Sequence, residues 1–237
     1  MRQGSSCHSP GEQEPDNSPT LLRSHLLFRD FESLFNGTTR ATKLISVCSP
    51  NNPVGIVLSS SEVQSLASLA QVNELYLLVD ETYADLNYAS TSADIELVIG
   101  LAAKFGDHVI SVSSMSKVYG VLGIRIGWLA TTNNSLQETF LAAKELISIS
   151  GSVVDEFIAE QIFSRRTELL SKTIADMIRR REHVASWVDQ ESEFLDWVEP
   201  EAGIMCFIRV KKEPVGGLAA FYQRLLKDHG VYVGRGT

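Results

Sequence analysis

The stretch His108–Trp128, HVISVSSMSKVYGVLGIRIGW, decides how the chain is read. It opens with Val109, Ile110 and Val112 and runs into serines, the mark of a buried strand ending in a polar turn. Upstream, Tyr76–Asp80 (YLLVD) repeats the pattern, apolar until its last residue. Lys43–Ser49 (KLISVCS) gives a third copy, closed by Pro50, Asn51, Asn52 and Pro53. After that loop, Ser59 with Glu62 three residues on forms a capping box that opens an amphipathic helix through Val63, Leu66 and Ala70. A further helical stretch is expected between Asp80 and His108, and a fourth strand near Ile126–Thr131. Alternating strands and helices predict an α/β fold with a mostly parallel sheet.

Beyond the fourth strand the chain turns helical. Leu170, Ile174, Met177, Val184 and Val188 fall near three-and-four spacing on one long helix. The tail holds two strand candidates, Phe194–Val198 and Ile204–Val210, then a helix from about Gly217 to Asp228 stopped by Gly230, then Val231–Val233. Together these read as a small α+β subdomain. The expected organisation is a disordered polar lead-in over 1–29, a large-domain core over 30–165, and the long helix with a partial small domain over 166–237.

With 237 residues, 44% hydrophobic and 21% charged, the chain can bury a sizeable core. Its formal net charge of −8 argues against a nucleic-acid partner, which clustered Lys and Arg would serve. Cys7, Cys48 and Cys206 form neither a disulfide framework nor a metal-ligand spacing, which fits a reducing compartment. No apolar run approaches the roughly 18 residues of a membrane span, and no secretory leader is evident. A cytoplasmic location without a membrane partner is the expectation.

In open α/β sheets, ligands bind outside the carboxyl ends of the strands. The loops beginning at Asn51, Asp80 and Ser114 are therefore expected to converge, bringing together Asn52, Asp80, Tyr83, Ser114, Ser116, Lys117 and Arg125. Taken singly, each has a plain reading: Lys117 as a solvated surface lysine, Asp80 as a helix cap, Asn52 as part of an Asn-Pro turn, Tyr83 and Arg125 as packing or surface residues. Ser116 reads as structural, and the glycines at 120, 123 and 127 as serving backbone geometry.

Their joint order points elsewhere. Ser49–Gly55 (SPNNPVG), Val79–Tyr83 (VDETY) and Ser114–Trp128 (SMSKVYGVLGIRIGW) resemble the three successive motifs of class I/II aminotransferases of fold type I, which use pyridoxal 5′-phosphate (PLP). The third is the most specific, with a serine three residues before the lysine and an arginine eight after it. The resemblance implies that Lys117 holds the cofactor aldehyde as a Schiff base and later moves the substrate α-proton. It implies that Asp80 pairs with the pyridinium nitrogen, that Asn52 and Tyr83 bond the ring 3′-oxygen, and that Ser114 and Arg125 bind the phosphate. Substrates would be an amino acid and a 2-oxo acid, and the complete enzyme a homodimer. C–S lyases, cyclising enzymes and decarboxylases share the lysine motif, and Thr139–Val154 (TFLAAKELISISGSVV) resembles capreomycidine synthases.

The likeness runs from about Asp30 to Gly234. Val54 stands where the family usually has threonine, and Arg235 where it usually has proline. The family's phosphate-cradling glycine loop, ring-stacking aromatic and N-terminal arm find no counterpart in residues 1–29, and its substrate-carboxylate arginine falls beyond Thr237. The expectation is a truncated chain: part of an aminotransferase, or a non-catalytic fragment of one prone to associate through open edges.

Overall fold

The computed structural model describes residues 38–89 and 101–234. The lead-in, Cys7 and Arg235 lie outside the described residues.

Four strands form the main sheet in the order β1 (Leu44–Cys48), β2 (Tyr76–Asp80), β3 (Val109–Ser114), β4 (Gly127–Ala130). The first three are parallel and β4 is antiparallel to β3. This is the mostly parallel α/β sheet expected from the sequence. Helix α1 (Ser60–Val72) makes the β1–β2 crossover. Its N-terminus is the expected capping box: Ser59 Oγ accepts the Glu62 N–H at 3.2 Å, and Glu62 Oε2 accepts the Ser59 N–H at 2.8 Å. The apolar stripe Val63, Leu66, Ala67 and Ala70 is buried against Leu77, Val79 and Val109 of the sheet.

Between β2 and β3, the described residues form two short 3₁₀ turns, Ala84–Leu86 and Ala102–Phe105, and the expected helical stretch falls largely on residues 90–100, which lie outside the described residues. The expected helical region resolves into three helices: α2 (Asn134–Ile147), α3 (Val153–Ser164) and α4 (Arg166–Gln190). Asn133 and Ser152 cap the first two through side-chain oxygens. Of the α4 stripe, Leu170, Ile174 and Val188 are buried, while Met177 and Val184 are half-buried.

In the tail, β5 (Leu195–Trp197) and β6 (Ile208–Val210) form a two-stranded antiparallel ladder, followed by α5 (Gly217–His229) capped by Gly230. Both strands are shorter than expected, and in the segment between them Glu201 and Ala202 donate their backbone N–H groups to the Gly55 carbonyl and Gly203 donates to the Leu86 carbonyl. Val231–Val233 forms no strand.

Candidate active site

Parallel register brings the carboxyl ends of β1, β2 and β3 to one edge, with Cys48 beside Asp80 and Asp80 beside Val112. Because β4 is antiparallel, it starts at that same edge, Gly127 opposite Ser114. The close start favours glycine, since a Cβ at Gly127 would lie a tight 3.0 Å from the Ser113 carbonyl oxygen. Three loops thereby enclose a cavity of about 380 Å³ lined by Asn52, Asp80, Tyr83, Ser114, Ser116, Lys117 and Arg125, together with Cys48, Thr82 and Leu122. All seven residues singled out in the sequence come together. The volume lies in the range of small-molecule sites, about 300–1,000 Å³.

The lining divides by chemistry. Lys117 is exposed, and its amine makes no hydrogen bond or ion pair among the described residues. Across from β3, Asp80 Oδ1 accepts the Thr82 N–H at 2.9 Å and the Thr82 hydroxyl at 2.6 Å. Asp80 therefore holds the turn at Thr82 and lines the cavity, and the short 3₁₀ turn that follows has no side-chain cap. Asn52 Nδ2 donates to the Tyr83 hydroxyl oxygen at 3.4 Å. Burial, then the neighbouring Cys48 and Asp80, push the Tyr83 phenol's pKa up against an opposing bond from Asn52, so Tyr83 offers a protonated hydroxyl. Cys48 is pushed up mainly by burial. Arg125 Nη1 donates to the Leu122 carbonyl at 3.1 Å and to Ser116 Oγ at 3.4 Å, so Ser116 braces the arginine.

Buried groups behind the cavity hold these loops, and the sequence reading did not single them out. Met115 and Val118 anchor the Lys117 loop in two apolar clusters, one against α3 and one against α4. Tyr119 donates its hydroxyl to Asp85 Oδ2 at 2.6 Å, and Arg166 Nη2 meets Asp85 Oδ1 at 2.6 Å, with Arg166 buried and the Asp85 side chain largely so. Glu81, also buried, accepts the N–H groups of Ala102 and Leu101 at 2.8 and 3.2 Å. Burial raises its carboxyl pKa above the ordinary value. Their positions in the motifs were visible; their partners, distant in sequence, were not.

Among the described residues no helix is long and apolar enough to cross a membrane, and no cluster of His, Cys, Asp and Glu could hold a metal ion.

Similarity to known proteins extends over most of the chain. The profile of the family "Aminotransferase class I and II" matches residues 23–237. An aspartate aminotransferase from Thermococcus kodakarensis is 29% identical over 190 residues, which are 80% of this chain and 47% of that protein. Capreomycidine synthase from Streptomyces vinaceus is 24% identical over 209 residues, 86% of this chain and 50% of that one. Among solved structures, a PLP-dependent aminotransferase from Streptococcus suis superposes with a TM-score of 0.72 at 25% identity, covering 86% of this chain and 51% of its own. The chain spans about half the length of these relatives.

Proposed function

Since the chain belongs to the class I and II aminotransferase family, we propose that its Lys117 cavity binds pyridoxal 5′-phosphate and serves transfer of an amino group from an amino acid to a 2-oxo acid. The observation that carries the reading is the meeting, in one cavity, of a lysine amine unpaired among the described residues, a strand-end carboxylate, an amide–phenol pair, and Ser114 with an Arg125 braced by Ser116. When bound, the cofactor supplies an electron sink for the substrate α-carbon.

The chain's own groups have distinct tasks in this reading. Lys117 Nζ would hold the cofactor at its aldehyde carbon and, once the substrate's amine has taken its place there, would be the free amine that takes and returns the α-proton. Asp80 holds a proton at the ring nitrogen by charge, and its anchoring to Thr82 keeps the carboxylate in place. Asn52 and Tyr83 donate to the ring oxygen, and Ser114 and Arg125 hold the phosphate, the arginine presenting a planar fork of donors. The similarity to capreomycidine synthase favours, as a second reading, a cyclising reaction on the same lysine.

The test is reduction with borohydride in the presence of PLP, followed by peptide mapping. The cofactor is expected on Lys117; fixation on Lys104 or Lys144, or no visible absorption band, would overturn the assignment. Incubating the PLP-loaded chain with amino acids and 2-oxo acids, and separating transamination from cyclisation products, distinguishes the two readings.

A further inference from the structure

The segment Val198–Gly203 lies outside the cavity yet braces two of its walls. On one side the backbone N–H groups of Glu201 and Ala202 both donate to the Gly55 carbonyl, at 2.8 and 3.0 Å. Glu201 Oε2 accepts the Val57 N–H at 2.9 Å. On the other side the Tyr88 N–H donates to the Glu201 carbonyl and the Gly203 N–H to the Leu86 carbonyl, each at 3.0 Å. The Tyr88 hydroxyl donates to the Gly203 carbonyl at 2.5 Å.

The fit leaves no slack. Gly55 has φ +76°, and a Cβ there would stand 2.6 Å from Pro200 Cβ and 2.7 Å from the Ala202 carbonyl oxygen. Helix α4 backs the brace: Arg181 donates to the Pro200 carbonyl at 3.2 Å and stacks 5.1 Å from the Tyr88 ring centroid.

The two braced loops are those that carry Asn52 and Tyr83. Bonds within the Asn52 loop, from Gly55 N–H to the Asn51 carbonyl at 2.7 Å and from Asn51 N–H to the Ile56 carbonyl at 2.8 Å, set its shape but not its distance from Tyr83. The brace spans that distance. We infer that Glu201 is a positioning residue of the cofactor site, which with the backbone of residues 200–203 sets where the Asn52 amide and Tyr83 hydroxyl stand relative to each other. The inference rests on the PLP reading above.

It has a direction. Donors aimed at the ring oxygen stabilise its anionic form and so hold down the pH at which the lysine-bound cofactor loses its proton; a loosened brace weakens both donors and raises that midpoint. The experiment uses the full chain, with PLP affinity and the pH midpoint of the visible band measured beside thermal unfolding without PLP. Glu201→Ala is expected to raise the midpoint by about half a pH unit and to weaken PLP binding about tenfold, the scale of one charge-assisted hydrogen bond. Glu201→Gln keeps an oxygen for the Val57 N–H and is expected to stay near wild type. Tyr88→Phe keeps the ring, drops one bond of the brace, and should move the midpoint the same way by less; it also serves if Glu201→Ala does not fold. A lowered melting temperature with unchanged midpoint and affinity in both variants would overturn the inference. Wild-type protein that takes no PLP on Lys117 would overturn the cofactor reading, and the inference with it.

Discussion

At the scale of single residues, the candidate site is a case in which chemistry-bearing side chains were legible and their supports were not. Lys117, Asp80, Asn52, Tyr83, Ser114 and Arg125 stand out because each type, at a strand end and in that order, has a job that few other arrangements need. Glu81 follows Asp80 directly, yet nothing local says that its carboxylate is buried and bonded to the N–H groups of Leu101 and Ala102. Its burial has a testable consequence. A carboxyl whose pKa is raised in the fold binds its proton more readily there than in the unfolded chain, so its stabilisation is fully present below the ordinary value of 4.5 and is lost as pH rises through the raised value. Glu81→Gln removes this dependence. The melting temperature of wild type minus that of Glu81→Gln is therefore expected to fall as pH rises from 4 to 8, measured at constant ionic strength. A difference that is flat or rises with pH would show that burial does not govern this carboxyl.

Between elements, the central sheet and α1 follow from local pattern: apolar runs closed by turn residues, and a capping box with its stripe. The links that join elements follow from no local pattern. The brace at Val198–Gly203 is built mainly from backbone groups, which every residue carries, so composition does not announce it. The Tyr119–Asp85–Arg166 network joins the Lys117 loop, the turn after β2 and the start of α4 through side chains 34 and 81 residues apart. Here a substitution separates hydrogen bonding from packing. Tyr119→Phe keeps the ring against Phe163, 5.6 Å away between centroids, and leaves the largely buried Asp85 carboxylate short of one donor. The expected loss is about 1–3 kcal/mol of unfolding free energy in urea titration. An unchanged urea midpoint would show that the hydroxyl bond contributes nothing net.

On the scale of the whole molecule, what the fold leaves uncovered matters as much as its core. The end of α2, its connection to α3 and the start of α3 expose Leu146 (89%), Ile147 (86%), Ile149 (88%) and Val153 (78%), with Phe157 of α3 also exposed. Runs of this kind are unusual on a monomer's surface and mark sites of association. Leaving them in water forgoes roughly 25 cal/mol for each Å² that a partner surface would cover. Among the described residues β1 and β4 each pair on one side only, which adds two open strand edges. Against precipitation stands the formal net charge of −8, which disfavours indefinite growth more than it disfavours a small assembly. The purified chain is therefore expected to elute in size-exclusion chromatography with light scattering as a species heavier than its 26.1 kDa monomer. Ile147→Glu combined with Ile149→Glu places like charges in the middle of the apolar run without touching any buried residue, and should return the mass to that of the monomer. If the substituted chain keeps the larger mass, the open strand edges are the contact, and charged substitutions on the exposed β1 positions Leu44 and Ser46 should then lower it. A wild-type chain that stays monomeric at the highest concentration reached would show that neither surface drives association.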